Sequence, residues 1–477
     1  APDGTASKVV FDAWQKASYD AGDLVSGSAW LTEAEGGTAS QVRAARLSEA
    51  YDNKPSIVHS DSLGRDVLAI DNGGTGIGLL ETTLTYDLEG QLLKVVDPRD
   101  LTAQQNTYDV AGRLIKQISN DAGTEKVFFD AMSQPVYSWT ARGLRVRQVR
   151  DAGQRPLASY VKEGATEILT DRVVYGESHP LAKANNLRGQ AYMTFDGVGQ
   201  AIVNSYDFTD KPLSTTRRFA VEYSPTTKEL DWGVVGTLTD IAAINTAVAS
   251  LLEVDTYTTT MTYDALDRVL TQVTPDGATT NISYDEGGLL ESIIVDAADG
   301  QQHTVLEDID ENARGQRVRE LLGDDGSGNG TVERTYAYDD KTYRLTQLKS
   351  RRLSDNKMLQ DLRYTYDIVG NIVQVDDQAT RDAYFATTVV DGKREYEYDP
   401  LYRLTKATGR EHPGQQPTAN SSQMFGQVPH PNDPTALTRY TETYSYDENG
   451  NITQMAHSGS VSWTRNYVID DENGTNS

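Results

Sequence analysis

The chain has 477 residues, of which 38% are hydrophobic, and it contains no cysteine. Its 44 Lys and Arg residues against 70 Asp and Glu residues give a formal net charge of −26, which argues against nucleic acids and anionic membranes as partners. The absence of cysteine excludes disulfides, thiolate catalysis and zinc–thiolate sites. We interpret the negative charge as a source of solubility for a large exposed surface, in preference to an acidic recognition surface.

Two further features of the composition bear on the class of protein. Tyr occurs 26 times and Phe 8 times, a balance typical of a thin β wall wetted on both sides rather than of a compact sandwich. No run of 18 apolar residues is present, so the sequence predicts no helix that spans a bilayer. Residues 1–4 lack the basic and apolar parts of a signal peptide, and the abrupt start and stop favour a fragment or a processed piece.

Residues 1–57 are the least repetitive part of the sequence. They are predicted to form an irregular N-terminal segment, with strand and turn material at residues 11–14 and 17–20. An Ala-rich stretch at residues 39–50 predicts one short helix there, with Ser40 as its N-cap.

From residue 58 onward the sequence repeats a unit of the form Tyr-Asp-x-x-Gly-(Arg/Asn/Gln)-(Leu/Ile). The unit recurs 22 residues apart at Tyr86 and Tyr108 and 21 residues apart at Tyr263 and Tyr284, a period that indicates stacking of one supersecondary unit. Looser copies begin at Phe129, Phe195, Tyr206, Tyr284, Ile309 and Tyr338, and a partial one begins at Asp61. The structural repeat motif is carried by Tyr86, Asp87, Gly90, Tyr108, Asp109, Gly112, Tyr263, Asp264, Tyr366, Asp367, Gly370, Tyr398, Asp399, Tyr446, Asp447 and Gly450.

The unit has the chemistry of a β-hairpin turn. Asp at the first position of a type I turn accepts backbone N–H bonds, and Gly three residues later takes the left-handed conformation. Such a turn joins two antiparallel strands through a bulge, and the residues around Tyr366 are rich in β formers on both sides. The sequence therefore predicts an all-β protein whose hairpins stack into one long, curved or spiralling antiparallel sheet, with one or two short helices.

The repeats fall into two β regions, residues 58–235 and residues 256–477, separated by a helical insertion at 236–255. In the insertion, Asp240 is predicted to cap a helix of about 14 residues with one apolar stripe. That stripe consists of Ile241, Ile244, Val248, Leu251 and Leu252. We expect the helix to plug or brace the sheet; a partner-binding helix is the sharper alternative. The second region contains a Gly/Asp turn at 323–330 and a Pro-rich surface loop at 409–437.

No catalytic, cofactor-binding or metal-binding residues are predicted. The sequence has no phosphate loop, dinucleotide fingerprint, nucleophile elbow or His-Glu-x-x-His pattern. Of the six dispersed His residues, only His412 and His430 share a loop, and satisfied or solvated histidines are the better interpretation than a metal pair. The run at 324–330 is interpreted as a hairpin loop in preference to a calcium site. The Asp residues of the repeats are expected to be structural, although a glycosidase pair is not excluded by composition.

Several longer strings resemble one branch of the rearrangement-hotspot, or YD-repeat, superfamily. They are Asn186-Leu-Arg-Gly-Gln190, Leu213-Ser-Thr-Thr-Arg-Arg-Phe219, Thr262-Tyr-Asp-Ala-Leu-Asp-Arg268, Leu359 to Asp367, Thr408 to Gly414 and Asn451 to Gly459. These strings look like the repeat region of the B component of insecticidal Tc toxin complexes, and the resemblance covers roughly residues 8–470.

The resemblance implies a β strip that spirals into a hollow shell. In that family, the B and C components together enclose the cytotoxic part of C, and a β-propeller docks the shell onto a pore-forming component. This sequence shows neither a propeller nor the self-cleaving aspartate pair, so no catalytic residue is carried over. By resemblance the protein is secreted, is not an enzyme and needs no cofactor.

Three hypotheses follow. The leading one is a structural, encapsulating segment of a Tc-like toxin-delivery shell, a virulence factor. Its partners are other shell components and an enclosed toxin polypeptide, with no nucleic acid and no direct membrane insertion. The second hypothesis is a cell-surface adhesion or glycan-binding β-repeat protein. The third is a carbohydrate-active enzyme, which requires two convergent carboxylates in an open cleft.

Overall fold

The computed structural model describes residues 2–221, 230–323, 330–385, 388–415, 433 and 435–468. One antiparallel sheet of 31 strands dominates it, and each strand pairs with the strands that precede and follow it in the chain. The fold class predicted from the repeats, an all-β strip of stacked hairpins, is confirmed.

The first half of the sheet consists of β1 (Lys8–Phe11), β2 (Gln15–Tyr19), β3 (Ser56–Ser60), β4 (Asp66–Asn72), β5 (Leu79–Tyr86), β6 (Leu92–Val96), β7 (Thr102–Tyr108), β8 (Leu114–Ser119), β9 (Gly123–Phe129), β10 (Pro135–Trp139), β11 (Arg145–Arg150), β12 (Pro156–Glu163), β13 (Thr166–Tyr175), β14 (Ala191–Asp196), β15 (Gly199–Tyr206) and β16 (Pro212–Phe219). Each strand is short, with three to ten residues in the whole set.

The second half consists of β17 (Tyr257–Tyr263), β18 (Val269–Val273), β19 (Thr279–Tyr284), β20 (Leu290–Asp296), β21 (Gln302–Glu311), β22 (Arg317–Leu322), β23 (Val332–Tyr338), β24 (Leu345–Arg352), β25 (Lys357–Tyr366), β26 (Ile372–Asp377), β29 (Lys393–Tyr398), β30 (Leu404–Glu411), β31 (Thr438–Tyr446), β32 (Ile452–Ser458) and β33 (Trp463–Asn466). Between β26 and β29, a separate two-stranded hairpin is formed by β27 (Ala383–Phe385) and β28 (Thr388–Val390).

Because consecutive strands alternate in direction, the turns at one end of the strands differ in sequence from the turns at the other end. We call these two rows of turns the edges of the strip. The Tyr-Asp turns lie at one edge, which we call the motif edge, from residues 61–65 through 87–91 and 109–113 to 447–451. The unit predicted at Phe195 is the exception, because its Asp196 turn joins β14 to β15 at the other edge. The other turns, such as residues 73–78 and 97–101, lie at what we call the opposite edge, together with the insertions at residues 20–55 and 220–256. The strip therefore has an upper and a lower side that differ in sequence.

The sheet is a thin wall with little core. Its solvent-accessible surface is 27508 Å² for a mass of 52.4 kDa, roughly 1.6 times the ~17,600 Å² expected of a compact folded chain of that mass. Most strand residues are half-buried, as they would be with water on both faces. The low hydrophobic content is thus matched to a wall that does not have to fill an interior.

The helices differ from the expectations in three respects. Helix α2 (Ala39–Ser48) is capped by Thr38 and not by Ser40, because Thr38 and Gln41 form a reciprocal capping box. A preceding helix, α1 (Ala29–Glu35), was not predicted. Helix α3 (Ile241–Val248) begins after the predicted cap Asp240 but has 8 residues, because Leu252 already forms a β-bridge with Ala220.

The insertion around α3 braces one stretch of the sheet. Trp232, Ile244 and Val248 are fully buried against Met193 and Phe195 of the sheet. The Trp232 ring packs at 4.9 Å from that of Phe195, and its Nε1 donates to the Asp196 carbonyl at 2.9 Å. The stripe of α3 is thus occupied within the chain, as the bracing interpretation expected.

Two predicted boundaries also differ from the elements observed, while the four-segment division remains a prediction. The segment expected to be irregular, residues 1–57, contributes β1 and β2 to the continuous sheet. Residues 409–411, assigned to the Pro-rich loop, end strand β30 and pair with β31. Most of that loop, and residues 324–329 of the Gly/Asp turn, lie outside the described residues. Among the described residues, no helix is long and apolar enough to cross a membrane.

Candidate functional site at the repeat turns and the seam

Each Tyr-Asp turn is held by its aspartate. In the turn after β7, Oδ1 of Asp109 accepts the backbone N–H groups of Ala111 at 2.9 Å and Arg113 at 3.0 Å. Gly112 closes the turn with φ +79°, a left-handed conformation that glycine takes without a Cβ clash. The backbone donors of the turn are therefore satisfied locally, as expected for Asp at its first position.

In five of the turns, an arginine four residues after the turn Asp joins the turn to the next one. The Arg113 Nε donates to Asp109 Oδ2 at 2.7 Å, and its Nη1 donates to the Asp130 carbonyl at 2.9 Å. Its guanidinium also lies 5.2 Å from the ring of Phe129. Hydrogen bonds from Arg113 lower the pKa of Asp109. The same Asp–Arg–aromatic clamp is formed by Asp61–Arg65–Tyr86, Asp151–Arg155–Tyr175, Asp264–Arg268–Tyr284 and Asp399–Arg403–Tyr446.

The motif tyrosines link neighbouring hairpins through their hydroxyl groups. The Tyr108 hydroxyl donates to the carbonyl of Leu92, the first residue after the preceding motif-edge turn. Backbone pairing of β6 with β7 runs only from Val96 to Lys94, so this hydroxyl serves a carbonyl beyond the paired stretch. The same bond is made by Tyr175 to Pro156, Tyr206 to Ala191, Tyr263 to Pro212, Tyr284 to Val269, Tyr338 to Arg317, Tyr366 to Leu345, Tyr398 to Ile372 and Tyr446 to Leu404.

The predicted motif residues lie in these turns, with four departures. The unit placed at Phe195 forms the tight turn between β14 and β15, at the opposite edge. The unit placed at Ile309 begins two residues later, since Asn312 and not Asp310 occupies the first turn position. In the units of Tyr263 and Tyr398, the left-handed position is filled by Asp267 and Tyr402 instead of Gly. A side chain in this conformation costs about 1–3 kcal/mol, which suggests a function for it.

The two ends of the strip meet along a seam, which we define as the contact of residues 20–55 and 97–101 with the motif-edge turns 339–344, 367–371, 399–403 and 447–451. Here Ile368 at the tip of its turn packs against Val25 and Tyr51, and all three are at most 1% exposed. The Ile368 N–H donates to Ser48 Oγ at 3.2 Å. The opposite edge at the start of the strip thus lies on the motif edge near its end.

The polar centre of the seam is the Tyr51–Asp367 pair. The Tyr51 hydroxyl donates to Asp367 Oδ2 at 2.9 Å, while Oδ1 holds the turn through Gly370 and Asn371. Burial raises the pKa of Asp367, and burial together with the Asp367 carboxylate raises the pKa of Tyr51. One carboxylate therefore organises its own turn and binds the other end of the strip.

The contacts of the Tyr402 side chain account for a tyrosine in the left-handed position that glycine occupies in other turns. Its hydroxyl donates to Asp20 Oδ2 at 2.6 Å, and its ring meets that of Tyr51 edge-on at 5.0 Å. With φ +63° the side chain is directed across the seam. The left-handed backbone at this position is accompanied by a long-range contact that glycine could not make.

Charged contacts extend the seam on both sides. Arg99 Nη1 donates to Asp447 Oδ2 at 3.3 Å, a contact between residues 348 positions apart. Arg43 donates to the carbonyls of Val373 and Tyr396, at 2.9 and 3.3 Å. Lys341 pairs with Glu33 at 2.6 Å, but that pair is exposed and contributes little. The strip therefore closes one circuit on itself.

Comparison with known proteins shows which proteins this chain resembles. No protein-family model matches the chain. The chain is 31% identical over 452 residues to toxin subunit YenC2 of Yersinia entomophaga, and 29% identical over 407 residues to its toxin subunit YenC1. These matches cover 88% and 80% of the chain but only 45% and 39% of the relatives, so the chain spans less than half of their length.

Solved structures show the same wall. The crystal structure of TcdB2-TccC3 matches 98% of the chain with a TM-score of 0.81 at 27% identity, and the chain covers 22% of it. A Photorhabdus luminescens Tc holotoxin pore structure matches 98% of the chain with a TM-score of 0.82, and the chain covers 21% of it. The chain belongs to the YD-repeat superfamily. Within it, the relatives are Tc toxin subunits, as the resemblance implied.

The YD-repeat chain holds its carboxylates in structural roles. A cavity of about 750 Å³ lies at the seam and is lined in part by Asp20, Asp23 and Tyr402. The Asp20 carboxylate accepts the backbone N–H groups of Gly22 and Asp23. The Asp23 carboxylate accepts those of Asp20 and Lys54. Among the described residues, no three acidic or His side chains are grouped to hold a metal ion. Carboxylates bound in this way do not have the free, convergent geometry that a glycosidase pair requires.

His457 is a buried residue that sequence analysis did not separate from the other histidines. It lies on β32 between the rings of Tyr440 and Trp463, at 5.2 and 5.1 Å. Its ring nitrogens are each 3.1 Å from a carboxylate, one of Glu411 and one of Glu442. It is thus a satisfied histidine. Of the pair considered for a metal, His412 contacts the Asp433 carbonyl, and His430 lies outside the described residues.

The arginine clamps predict a graded mutational effect. Arg403→Ala removes a donor from the nearly buried Asp399 carboxylate, and we expect a loss of about 2–3 kcal/mol in the stability of that hairpin. Arg113→Ala, whose pair is more exposed, should have a smaller effect. Hydrogen exchange of the hairpin amides measures both. Arg142→Ala, at an exposed position, is the control; equal effects for all three variants would contradict the clamp.

The seam predicts a local effect of removing one hydroxyl. Tyr51→Phe leaves the buried Asp367 without its cross-seam donor, which should cost about 1–3 kcal/mol of seam closure. Hydrogen exchange should then accelerate in residues 44–52 and 367–371 together, and not in the distant hairpins. Tyr86→Phe, in which the ring under Arg65 is retained, is the matched control. Unchanged exchange at both sides of the seam in Tyr51→Phe would show that the pair is not a closing contact.

Alkaline pH should lower the stability of the fold around Tyr398. Burial, followed by the neighbouring Asp367 charge, raises the pKa of Tyr398 to about 12. Because the pKa in the folded state lies above the unfolded value of about 10, this stabilisation is complete below pH ~10 and is lost as the pH rises through about 12. Thermal unfolding across that window, followed with tyrosinate absorbance, measures the loss. Tyr398→Phe should lessen the slope; an unchanged slope would show that Tyr398 does not titrate with unfolding.

Proposed function

We propose that this chain is a wall segment of a Tc-like toxin-delivery shell that encloses, or helps to enclose, a toxic polypeptide. The observation that carries the proposal is the closed circuit: an uninterrupted strip of 31 strands whose opposite edge contacts its own motif edge at the seam. A thin strip that returns to itself surrounds a space. The large surface for its mass supports the same conclusion, since a wall exposes two faces.

The proposed function does not require a catalytic group. The carboxylates of the turns stabilise the hairpins and the seam, and therefore the enclosing wall. We propose that the segment is non-enzymatic. Its proposed partners are further shell segments and the enclosed toxin polypeptide. Support comes from the relatives, which are named as toxin subunits, and from structures in which TcdB2 and TccC3 occur together. Such a complex would act outside the producing cell, so we propose an extracellular location.

The wall is expected to resist transfer of a cargo polypeptide through it. Every strand of the sheet is hydrogen-bonded to its neighbours in sequence. The seam joins the beginning of the strip to the turns near its end. Between pairs of backbone-bonded strands no gap of molecular size remains, because adjacent strands lie about 4.8 Å apart. Exit from the enclosed space would therefore occur past an edge rather than through the sheet.

Single-particle electron microscopy of the purified chain tests the proposal. We expect a curved wall one sheet thick around a central space. A double seam variant, Tyr51→Phe with Arg43→Ala, should give particles whose circuit is open, with a larger radius of gyration in solution scattering. Arg142→Ala is the control and should leave the particle unchanged. A compact particle with density throughout, or an open extended strip in the unmodified chain, would overturn the proposal.

A further inference from the structure

A small cavity lies on one face of the sheet, where β9 and β10 reach the opposite edge. Its volume is about 410 Å³, and it is lined by Thr124, Lys126, Trp139, Thr140 and Ala141. This volume falls within the range of small-molecule sites, which combine aromatic or apolar surface with a few polar groups. The cavity lies outside the seam, and the enclosing function proposed above does not use it.

Trp139 gives the cavity a flat aromatic wall. Its ring is stacked on that of Tyr137, with 5.8 Å between the centroids and 26° between the planes. The two residues are two positions apart on β10 and therefore lie on the same face of the sheet. Because Tyr137 supports one side of the indole, the other side borders the cavity, and the residue remains 36% exposed. The negative face of such a ring attracts the C–H groups of a pyranose.

The same face of the sheet carries a row of cations next to the cavity. The row takes one residue from each of the strands β8 to β13, and each residue lies directly opposite the next: Lys116, Lys126, Trp139, Arg145, Lys162 and Glu167. Lys116 thus faces Lys126, and Arg145 faces Lys162, although like charges directly opposite each other are destabilising. A row of this kind is unexpected in a chain with 70 acidic and 44 basic residues.

The cations of the row are only partly neutralised by the chain itself. Arg145 donates to Glu167 at 2.7 Å, which places an acidic group at the end of the row distant from the cavity. Within the described part of the chain, no carboxylate pairs with Lys116, Lys126 or Lys162. The lysine that lines the cavity is therefore available to an anionic group from outside the chain.

The cavity also offers an unused hydroxyl. Thr140 begins the turn at residues 140–144, and its backbone closes that turn through Gly143 and Leu144. Its side-chain hydroxyl is buried and has no hydrogen-bond partner among the residues that the structure describes. A buried hydroxyl without a partner is costly, and a sugar hydroxyl that enters the cavity can serve as that partner.

We propose that the cavity beside Trp139 binds an acidic saccharide, meaning a pyranose that carries a carboxylate or sulfate group. The pyranose stacks on the free side of the indole, its hydroxyls bond to Thr124 and Thr140, and its anionic group lies against Lys126. Adjacent strands are about 4.8 Å apart, which is close to the length of one pyranose unit. Further units of an oligosaccharide therefore extend along the row towards Lys116. This site goes beyond the proposed function and is independent of it.

An acidic polypeptide fits this face less well. Extended peptides add to a sheet through the free backbone groups of an edge strand, whereas β9 and β10 are paired on both sides. Asp and Glu side chains would use the cations but would leave the indole surface and the hydroxyl-lined cavity unused. A nucleic acid carries many charges and is opposed by the net charge of −26, while a short acidic saccharide carries few. The saccharide is the better occupant.

Calorimetric titration of the purified chain tests the site. The probes are trigalacturonate, which carries carboxylates, a tetrasaccharide of κ-carrageenan, which carries sulfates, and neutral maltotriose. We expect at least one acidic probe to bind at least tenfold more tightly than maltotriose, with an affinity that falls as salt is added. Trp139→Ala should weaken that binding at least tenfold and abolish the accompanying change in tryptophan fluorescence. Trp14→Ala, at another exposed tryptophan, is the matched control and should bind as the unmodified chain does.

Lys126→Gln supplies the second test. The side chain is exposed, so the melting temperature should be unchanged, while binding of the acidic probe should weaken at least fivefold and depend less on salt. Lys357→Gln, at an exposed lysine of β25, is the control.

Two sets of results would overturn the proposal. Absence of binding of both acidic probes at millimolar concentration, or equal binding by Trp139→Ala and the unmodified chain, would overturn the site. A glutamate peptide that binds as tightly as the acidic probes would show a general anion surface and overturn the choice of ligand. A hollow particle that binds no saccharide would leave the proposed function intact.

Discussion

The structure depends on the ability of one aspartate side chain to serve two neighbours. In these turns Oδ1 caps the backbone of its own hairpin, and in several of them Oδ2 receives a donor that connects the turn to another part of the chain. Where the donor is an arginine four residues later, the connection runs to the next aromatic ring and the next turn. Where the fourth residue is Asn, as at Asn371 and Asn451, the same oxygen also receives a donor from across the seam. The residue four positions after the turn Asp thus distinguishes turns that bond to the next turn along the sheet from turns that also bond across the seam.

This arrangement compensates for the near absence of a core. Because each hairpin buries few apolar atoms, its stability comes mainly from contacts with the adjacent hairpins, as in other repeat proteins. The backbone ladder, the tyrosine hydroxyls and the arginine clamps all act between adjacent units. Larger apolar clusters occur in only two described places, under the α3 insertion and at the seam. Within the described part of the chain, the seam thus distinguishes a closed circuit from an open ribbon.

Local features were accessible from the sequence because their interactions span few residues. Tyr366, Asp367 and Gly370 specify a turn through contacts within four positions, and the Asp240 cap acts on Ala243. The Tyr51–Asp367 bond joins residues 316 positions apart, and no local pattern marks Tyr51 as its partner. The strands β1 and β2 lack the motif and depend on pairing with β3 for their place in the sheet. Ser40 was mistaken for the cap because Thr38 and Gln41 satisfy the same rule two positions earlier.

The wide separation of the seam partners has a consequence for biosynthesis. The strip can form progressively as the chain leaves the ribosome, since each hairpin needs only the one made before it. The N-terminal helices are different, because their contact at Asp367 is translated 316 residues after Tyr51. At 5–20 residues per second this corresponds to roughly 15–60 s during which an apolar surface waits without its counterpart. Nascent chains should therefore attract molecular chaperones at residues 20–55, and release from them should coincide with emergence of the Tyr366 hairpin.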